Sequence, residues 1–285
     1  MPWFQADLHI HSCLSPCGDL RSSPQAIVHA ASKAGLDLIA LTDHNSSLNC
    51  PTFSRCAQKN GLSALFGMEA TSAEEAHCLC LFGELDTALE FSALAYEHLA
   101  NIHNNPDRFG DQVWVEDDET IGGEVDKWLV GALDLGLTDL CTEVQKRGGL
   151  VIPAHVDRSA MSLLSQLGRV PTGNWDALEL LLSGTRPIKL GYTPLVASTT
   201  MPTGALEELL SLLSRNQLKP GLAWNDTLLS GKIAGLPLLA NSDAHQPEDI
   251  GLRRTLFWAE HPDFPGLRSA IASGLALGAW PLSSR

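Results

Sequence analysis

The sequence predicts a barrel-like α/β fold, and three patterns carry that reading. Short apolar runs of strand length recur at Phe4 to Ile10, Leu36 to Leu41, Leu62 to Gly67, His77 to Phe82, Leu150 to Ala154 and Leu236 to Ala240. Helical segments with capping signals fall between them. His, Asp and Glu residues sit in the runs or at their C-terminal ends, the edge where barrel and open α/β enzymes place their chemistry. A chain of 285 residues, 44% hydrophobic, has ample material for one large core.

Asp7-Leu8-His9-Ile10-His11 belongs to the first strand. Alternate residues of a strand face the same side, so His9 and His11 can project two imidazoles into one space. Such a pair can chelate a metal, and by itself it suits a satisfied core pair as well. Ser23 as N-cap, Pro24 at the first turn, residues 25–34 and Gly35 predict the first helix. The second strand, Leu36 to Leu41, leads into Thr42-Asp43-His44. Pro51 to Asn60 reads as a helix closed by Gly61, and Leu62 to Glu69 as a strand ending on Glu69. His77 opens the next run.

The spacing of Leu89, Phe91, Leu94, Ala95, Tyr96 and Leu99 suits a helix from Asp86 to Leu99. Residues 100 to 135 break the rhythm and read as an insertion or small lobe, with a short hairpin around Gln112 to Ile121. Its acidic run Glu116-Asp117-Asp118-Glu119 reads as a solvated turn. A helix from Leu135 to Lys146, closed by Gly148-Gly149, precedes the strand that ends before His155. A short helix over 158–167, a strand from Ala177 to Leu182, an irregular stretch from Leu190 to Gly204 and a helix from Glu207 to Arg215 follow. Leu236 to Ala240 runs into Asn241-Ser242-Asp243-Ala244-His245, and Thr255 to Ala259 is read as the last strand before a terminal helix from Gly266 to Gly274. With parallel strands joined by helices, all strand C-termini share one side.

Composition narrows the function classes. Nineteen Lys and Arg against 33 Asp and Glu give a net charge of -14, which offers no global attraction to phosphate backbones and disfavours a duplex nucleic-acid partner. A locally positive metal centre can still take a short nucleotide or a small phosphate ester. The 7 cysteines have no paired Cys-x-x-Cys spacing, so neither a zinc ribbon nor a disulfide framework is indicated. No run of about 18 apolar residues and no basic, apolar N-terminal leader occurs, so the expectation is a cytoplasmic protein without a membrane partner.

The ordered motifs, His9-x-His11, Thr42-Asp43-His44, Glu69, His77, His155 and Asp243-x-His245, resemble the polymerase and histidinol phosphatase (PHP) superfamily. The likeness covers most of the chain outside residues 100 to 135. It is greatest to stand-alone bacterial PHP proteins with the loop Ser-Pro-Cys-x-Asp, here Ser15-Pro16-Cys17-Gly18-Asp19. The resemblance implies a distorted (β/α)7 TIM-like barrel over residues 1–285, a single catalytic domain with a trinuclear site. In that site His9, His11, Glu69 and Asp243 would hold one metal, and Glu69, His77 and His155 a second, with Glu69 bridging. Asp19, favoured over Cys17 by the loop, would hold the third with His44 and His245. Imidazole and carboxylate donors suit two to three zinc, manganese or iron ions.

The implied reaction is hydrolysis of a phosphate monoester or short nucleotide by metal-activated water. Asp7 and Asp43 flank ligand histidines and can fix an imidazole tautomer from outside the metal, although Asp43 also suits a turn or cap. Arg158 can clamp a phosphate oxygen, or pair with Asp157 at a helix start. His29, His98, His103 and His261 are not expected to be ligands. Trp114, Trp128, Trp175, Trp224 and Trp258 suit base stacking or, more commonly, core packing.

Three other functions compete. A 5′ to 3′ exonuclease acting on short RNA or nucleotide bisphosphates would be marked by a cationic groove, and no long basic cluster occurs in the sequence. A non-catalytic, metal-stabilised regulatory module would be marked by lost ligands. An amidohydrolase-type enzyme would share His-x-His and a late Asp without this Glu69 and Asp243-x-His245 combination.

Overall fold

The computed structural model describes residues 1–181, 201–202, 204–220 and 236–281. The irregular stretch expected from Leu190 to Gly204 falls mostly outside these residues, as does Trp224. The chain begins with β1 (Trp3–Asp7), α1 (Pro24–Ala34), β2 (Leu38–Leu41), α2 (Cys50–Lys59), β3 (Ser63–Thr71), β4 (His77–Phe82) and α3 (Leu85–His98). Then come α4 (Pro106–Phe109), β5 (Val113–Val115), β6 (Ile121–Glu124), α5 (Leu137–Lys146), β7 (Leu150–Pro153), α6 (Leu163–Leu167) and β8 (Leu178–Glu179). The described remainder holds α7 (Ala205–Arg215), β9 (Leu218–Pro220), β10 (Leu238–Leu239), a 3-10 turn (Pro247–Asp249), β11 (Arg254–Trp258), α8 (Phe264–Ala272) and β12 (Ala276–Pro281).

Local chemistry sets several of these boundaries. Ser23 Oγ accepts from Ala26 N at 3.2 Å, Pro24 opens α1, and Gly35 closes it at φ 71, where its N–H meets the carbonyls of Ala31 and Ser32. Ser162 starts α6 with a reciprocal capping box, so the expected helix over 158–167 is confined to Leu163–Leu167.

The fold is a mixed α/β architecture around a curled half-barrel sheet of eight strands, in the order β7-β4-β3-β2-β1-β11-β12-β9. Strands β1, β2 and β3 run parallel, while β4 is antiparallel to both β3 and β7. The expectation that every strand presents its C-terminus to one edge is therefore corrected. His77 is the first residue of β4 and pairs with Thr71, so the reversed strand delivers it to the edge where β3 ends.

Beyond β7 lies the parallel pair β8–β10. Val156 N donates to Glu179 O at 2.9 Å, and the segment after β10 returns to the extension of β1 through the parallel bridge Ile10–Ala244. Thr255 to Ala259 is not the last strand, since β12 follows α8 and pairs antiparallel with β11 and β9. The composition of β12, Ala-Leu-Gly-Ala-Trp-Pro, lacks the β-branched residues that mark strands. Short β9 ends in Pro220 at the sheet margin, where proline is tolerated.

Side chains alternate between two cores. Leu38, Ala40, Leu79, Leu81 and Ile152 pack inside the curl, while Ile39, Leu41, Cys78, Cys80 and Val151 pack outward with Ile27, Phe53 and Phe91 of the helices. Both faces are thus covered, which is why these strands read as continuous apolar runs. The 100–135 segment carries the expected hairpin, β5 with β6. It docks on the start of α2 and on the loop after β1: Val115 N donates to Asn49 Oδ1 at 2.9 Å, Thr52 Oγ1 donates to Val115 O at 2.8 Å, and Cys13 packs with Val113 and Val115. Gly110, at φ 98, lies so close to the Pro16 backbone that a Cβ would collide with it.

Candidate metal centre

The strand edge gathers side chains from six parts of the chain. His9 and His11 stand on the extension of β1, His44 follows β2, Glu69 lies on β3, His77 opens β4, and His155 follows β7. Asp243 and His245 come from the segment after β10 that bridges to Ile10. His155 and Asp243 adopt left-handed backbone at φ 30 and φ 53, a conformation costing about 1–3 kcal/mol per residue and concentrated at functional sites.

Glu69 is the centre of this group and is buried. Its Oε1 lies 2.8 Å from His77 Nδ1, 2.8 Å from His155 Nε2 and 3.4 Å from His9 Nε2. Its Oε2 lies 3.1 Å from His44 Nδ1 and 3.4 Å from His11 Nε2. Asp243 Oδ1 stands 3.3 Å from His9 Nε2 and 3.4 Å from His11 Nε2.

The hydrogen bonds around His9 and His11 decide what this pair can hold. His9 Nδ1 faces the Glu179 carboxylate at 2.9 Å and therefore carries a proton, which in the neutral ring leaves a lone pair on Nε2. His11 Nδ1 lies 3.0 Å from Ser15 Oγ, whose own hydroxyl donates to Asp43 Oδ1 at 2.7 Å, so His11 Nδ1 is also the donor. The two Nε2 atoms face each other at 3.1 Å. Two lone pairs at that separation repel unless a cation or protons occupy the space. His44 Nδ1, His77 Nε2, His155 Nδ1 and Asp243 Oδ1 are also buried without a hydrogen-bond partner, an arrangement that costs free energy in a closed core. The donor set, imidazoles with two carboxylates, fits divalent transition ions.

Protons are the competing cations. Burial opposes charge on His9, but Glu179, Glu69 and Asp243 overcome it and raise this base well above its ordinary value. Burial likewise opposes charge on His11, but the neighbouring carboxylates of Asp243 and Glu69 raise it to about 9. Burial is also the largest influence on Glu69 and Asp243, yet the imidazoles around them hold both carboxyls well below the ordinary range. Burial lowers His245 to about 4, helped by the charge of His11, and lowers His44 strongly.

Residues 7–119 match the family model of the PHP domain, and residues 232–275 match the PHP-associated model. The chain is a PHP-domain protein. Both matches contain site residues, His9 to His77 in the first and Asp243 with His245 in the second. The PHP protein is 39% identical over 64 residues to an error-prone DNA polymerase of Nocardia farcinica, and 34% identical over 71 residues to a PolC-type DNA polymerase III of Oceanobacillus iheyensis. Those stretches cover 22% and 25% of this chain but only 6% and 5% of the polymerases.

In fold, the PHP protein is similar to a lesion-specific endonuclease of Pyrococcus furiosus, with a TM-score of 0.60, 19% identity, and coverage of 96% of this chain and 56% of the endonuclease. It is also similar to a candidate metal-dependent phosphoesterase of Bifidobacterium adolescentis, with a TM-score of 0.52, 17% identity, and coverage of 94% and 96%.

Within this PHP centre the structure brings together His9, His11, His44, Glu69, His77, His155, Asp243 and His245. It does not bring in Asp19. The Asp19 carboxylate receives Arg21 N at 2.8 Å, Nε at 3.1 Å and Nη2 at 2.8 Å, and these bonds hold it below the ordinary carboxylate range. Cys17 is grouped instead with His11, His44 and His245, their four potential donor atoms all within 4.8 Å of one another.

The supporting residues also differ from expectation. Among the described residues Asp7 has no hydrogen bond with an imidazole ring; it accepts from Ser242 N at 3.0 Å and Gly251 N at 2.8 Å, a structural use. Asp43 reaches His11 only through Ser15, and Ser12 N and Oγ fill its remaining positions at 2.7 Å and 2.6 Å. Glu179, which the sequence reading missed, holds His9 directly and also receives Asn241 Nδ2 at 2.8 Å and His155 N at 2.9 Å. Its signal was a lone carboxylate inside the apolar strand Ala177 to Leu182.

Arg158 lies at the exposed rim, its Nη1 3.4 Å from Asp243 Oδ2. His98 pairs with Asp134 and His103 with Asp126, both away from the site. Trp175 and Trp258 are buried in the cores, and Trp128 stacks on Phe109 with centroids 4.8 Å apart. No helix among the described residues is long and apolar enough to cross a membrane.

Proposed function

We propose that this PHP protein is a metal-dependent phosphoric ester hydrolase acting on a phosphate monoester or a short nucleotide, with two to three zinc, manganese or iron ions. The observation that carries the reading is the pair of Nε2 lone pairs on His9 and His11, facing each other at 3.1 Å beside Asp243 and Glu69. His9, His11, Asp243 and Glu69 would hold one ion, and Glu69, His77 and His155 a second. When bound, such ions neutralise charge on a phosphoryl group and lower the pKa of a coordinated water.

The chain's own residues do the positioning. Glu179 and the Ser15–Asp43 relay keep the Nδ1 protons of His9 and His11 on the outer side of each ring, so both Nε2 atoms stay turned to the centre. Arg158 at the rim can leave Asp243 and take a phosphate oxygen, a planar fork matched to that anion. The net charge of -14 disfavours a duplex partner and leaves small esters, drawn by the centre itself, as the favoured substrates. We read the finer fold as a distorted (β/α)7 barrel, β1, β2, β3, β4, β7, β8 and β10 in a ring, supported by the Val156–Glu179 and Ile10–Ala244 links. A cytoplasmic setting without a membrane partner goes with this reading.

The test is a phosphatase screen with manganese or zinc over sugar phosphates, histidinol phosphate, nucleotide mono- and bisphosphates and short RNA. Turnover of a small ester that is lost with chelator supports the reading. Preferential stepwise shortening of RNA would favour the exonuclease. Absence of turnover in protein carrying its metals would favour the regulatory module.

A further inference from the structure

The rim of the centre holds a donor set unlike the interior. Cys17 is exposed, and its Sγ shares a 4.8 Å cluster with ring nitrogens of His11, His44 and His245. The His11 ring centroid lies 4.4 Å from that of His245 and 4.6 Å from that of His44. Gly18 N donates to Ser15 O and Asp19 N donates to His245 O, each at 2.8 Å, so the turn carrying Cys17 is pinned to the segment carrying His245. A Cβ at Gly18 would strike the Ser12 carbonyl oxygen, so this turn requires glycine there. His44, on a side chain only 5% exposed, turns its Nδ1 toward Glu69 Oε2 at 3.1 Å without a hydrogen bond, so this ring stands between the interior group and the rim.

Ligand counting favours the thiol. Each neutral imidazole offers one lone pair, and that of His11 already faces His9 and Asp243. The rim is then left with His44, His245 and one more donor. Asp19 is the carboxylate nearest in sequence, but its two oxygens are taken by Arg21, which also reaches Glu248 at 2.9 Å.

We propose that Cys17, with His44 and His245, forms a rim position for one transition ion, selective for zinc, cobalt or ferrous ion over manganese or magnesium. The inference rests on the metal reading above. Thiolate is a soft donor that favours the former ions, whereas the interior positions offer only nitrogen and oxygen. Binding there releases the thiol proton to solvent as the metal–sulfur bond forms. Three protein donors leave a coordination place open, as in catalytic rather than structural zinc sites.

The test is a cobalt(II) titration of the full chain after chelator treatment. It is read by the near-ultraviolet thiolate-to-cobalt charge-transfer band and by elemental analysis. Wild-type protein is expected to show the band. Cys17→Ser should lose the band and one equivalent of cobalt while keeping the rest, with an unchanged circular dichroism spectrum because Cys17 is exposed. Asp19→Asn should keep both band and stoichiometry. Cobalt bound without the band, or Cys17→Ser with the wild-type stoichiometry, would overturn the rim position and leave the interior reading standing. Failure to bind cobalt at all would overturn both.

Discussion

The Glu179 carboxylate lies 2.9 Å from His9 Nδ1 and 2.9 Å from the backbone N of His155, so one buried side chain orients two candidate ligands from different strands. Asn241 adds a third bond to Glu179 and, through its Oδ1, accepts from Leu8 N at 2.9 Å. The anchor is therefore shared by β1, β7, β8 and the segment after β10.

Glu179→Gln keeps the size of the side chain but removes the charge that holds the His9 Nδ1 proton. Metal affinity should fall roughly 10- to 100-fold, the usual cost of losing a carboxylate behind a ligand imidazole. A chelator competition assay measures it, and wild-type affinity in Glu179→Gln would refute the anchoring role.

Arg158 is expected to act on substrate rather than on the metals. Arg158→Ala should lower kcat/KM by roughly 10- to 100-fold, the equivalent of about 1.5–3 kcal/mol for a charge-assisted hydrogen bond, mainly through KM. Arg158→Lys should recover part of the loss because it lacks the bidentate fork. Metal content should not change in either variant. Steady-state kinetics beside elemental analysis separates this from loss of metal.

Stability of the metal-free protein should peak near the ordinary histidine value of 6.5. His11, raised to about 9, contributes stability that is complete below 6.5 and is lost as pH climbs through about 9, and His9 acts in the same direction. His245, lowered to about 4, and His44 stay neutral in the fold, so stability falls as pH drops from 6.5 toward 4. The depressed carboxyls of Glu69 and Asp243 deepen that acid limb. Added metal should flatten the basic limb, because the ions replace the protons. Thermal melts from pH 4 to 9, with and without zinc, would contradict this if the metal-free Tm rose steadily with pH.

Much of the site was legible because its candidate ligands lie in or just past apolar strand-length runs: Glu69 and His77 in β3 and β4, and the others beyond the ends of β1, β2, β7 and β10. His9 and His11 at i and i+2 signal a shared space without any knowledge of the rest, whereas Asp243, at φ 53, breaks strand alternation, so Asp243 and His245 enter different groups of donors. Glu179 gave only the weaker signal of one charge in an apolar run, since its partners are remote in sequence. The direction of β4 was hidden because a run from His77 to Phe82 looks the same in either sense; only the short turn between Thr71 and His77 marks it as the return arm of a hairpin. That Asp19 turns away from the other candidate ligands was hidden because its partner is Arg21, whose side chain turns back on it from two residues away. Strand β12 was missed because alanine, glycine and proline carry no strand preference, and its place is set by pairing with β11.

The most direct test of the account is elemental analysis of protein purified without chelator, run beside phosphatase activity and repeated for His9→Ala. Wild-type protein should carry two to three transition ions per chain and lose turnover when they are stripped. His9→Ala should lose at least one ion and its activity together, while His98→Ala should lose neither. A metal-free wild type that still hydrolyses phosphate esters, or a His9→Ala variant with full metal content and full activity, would contradict it.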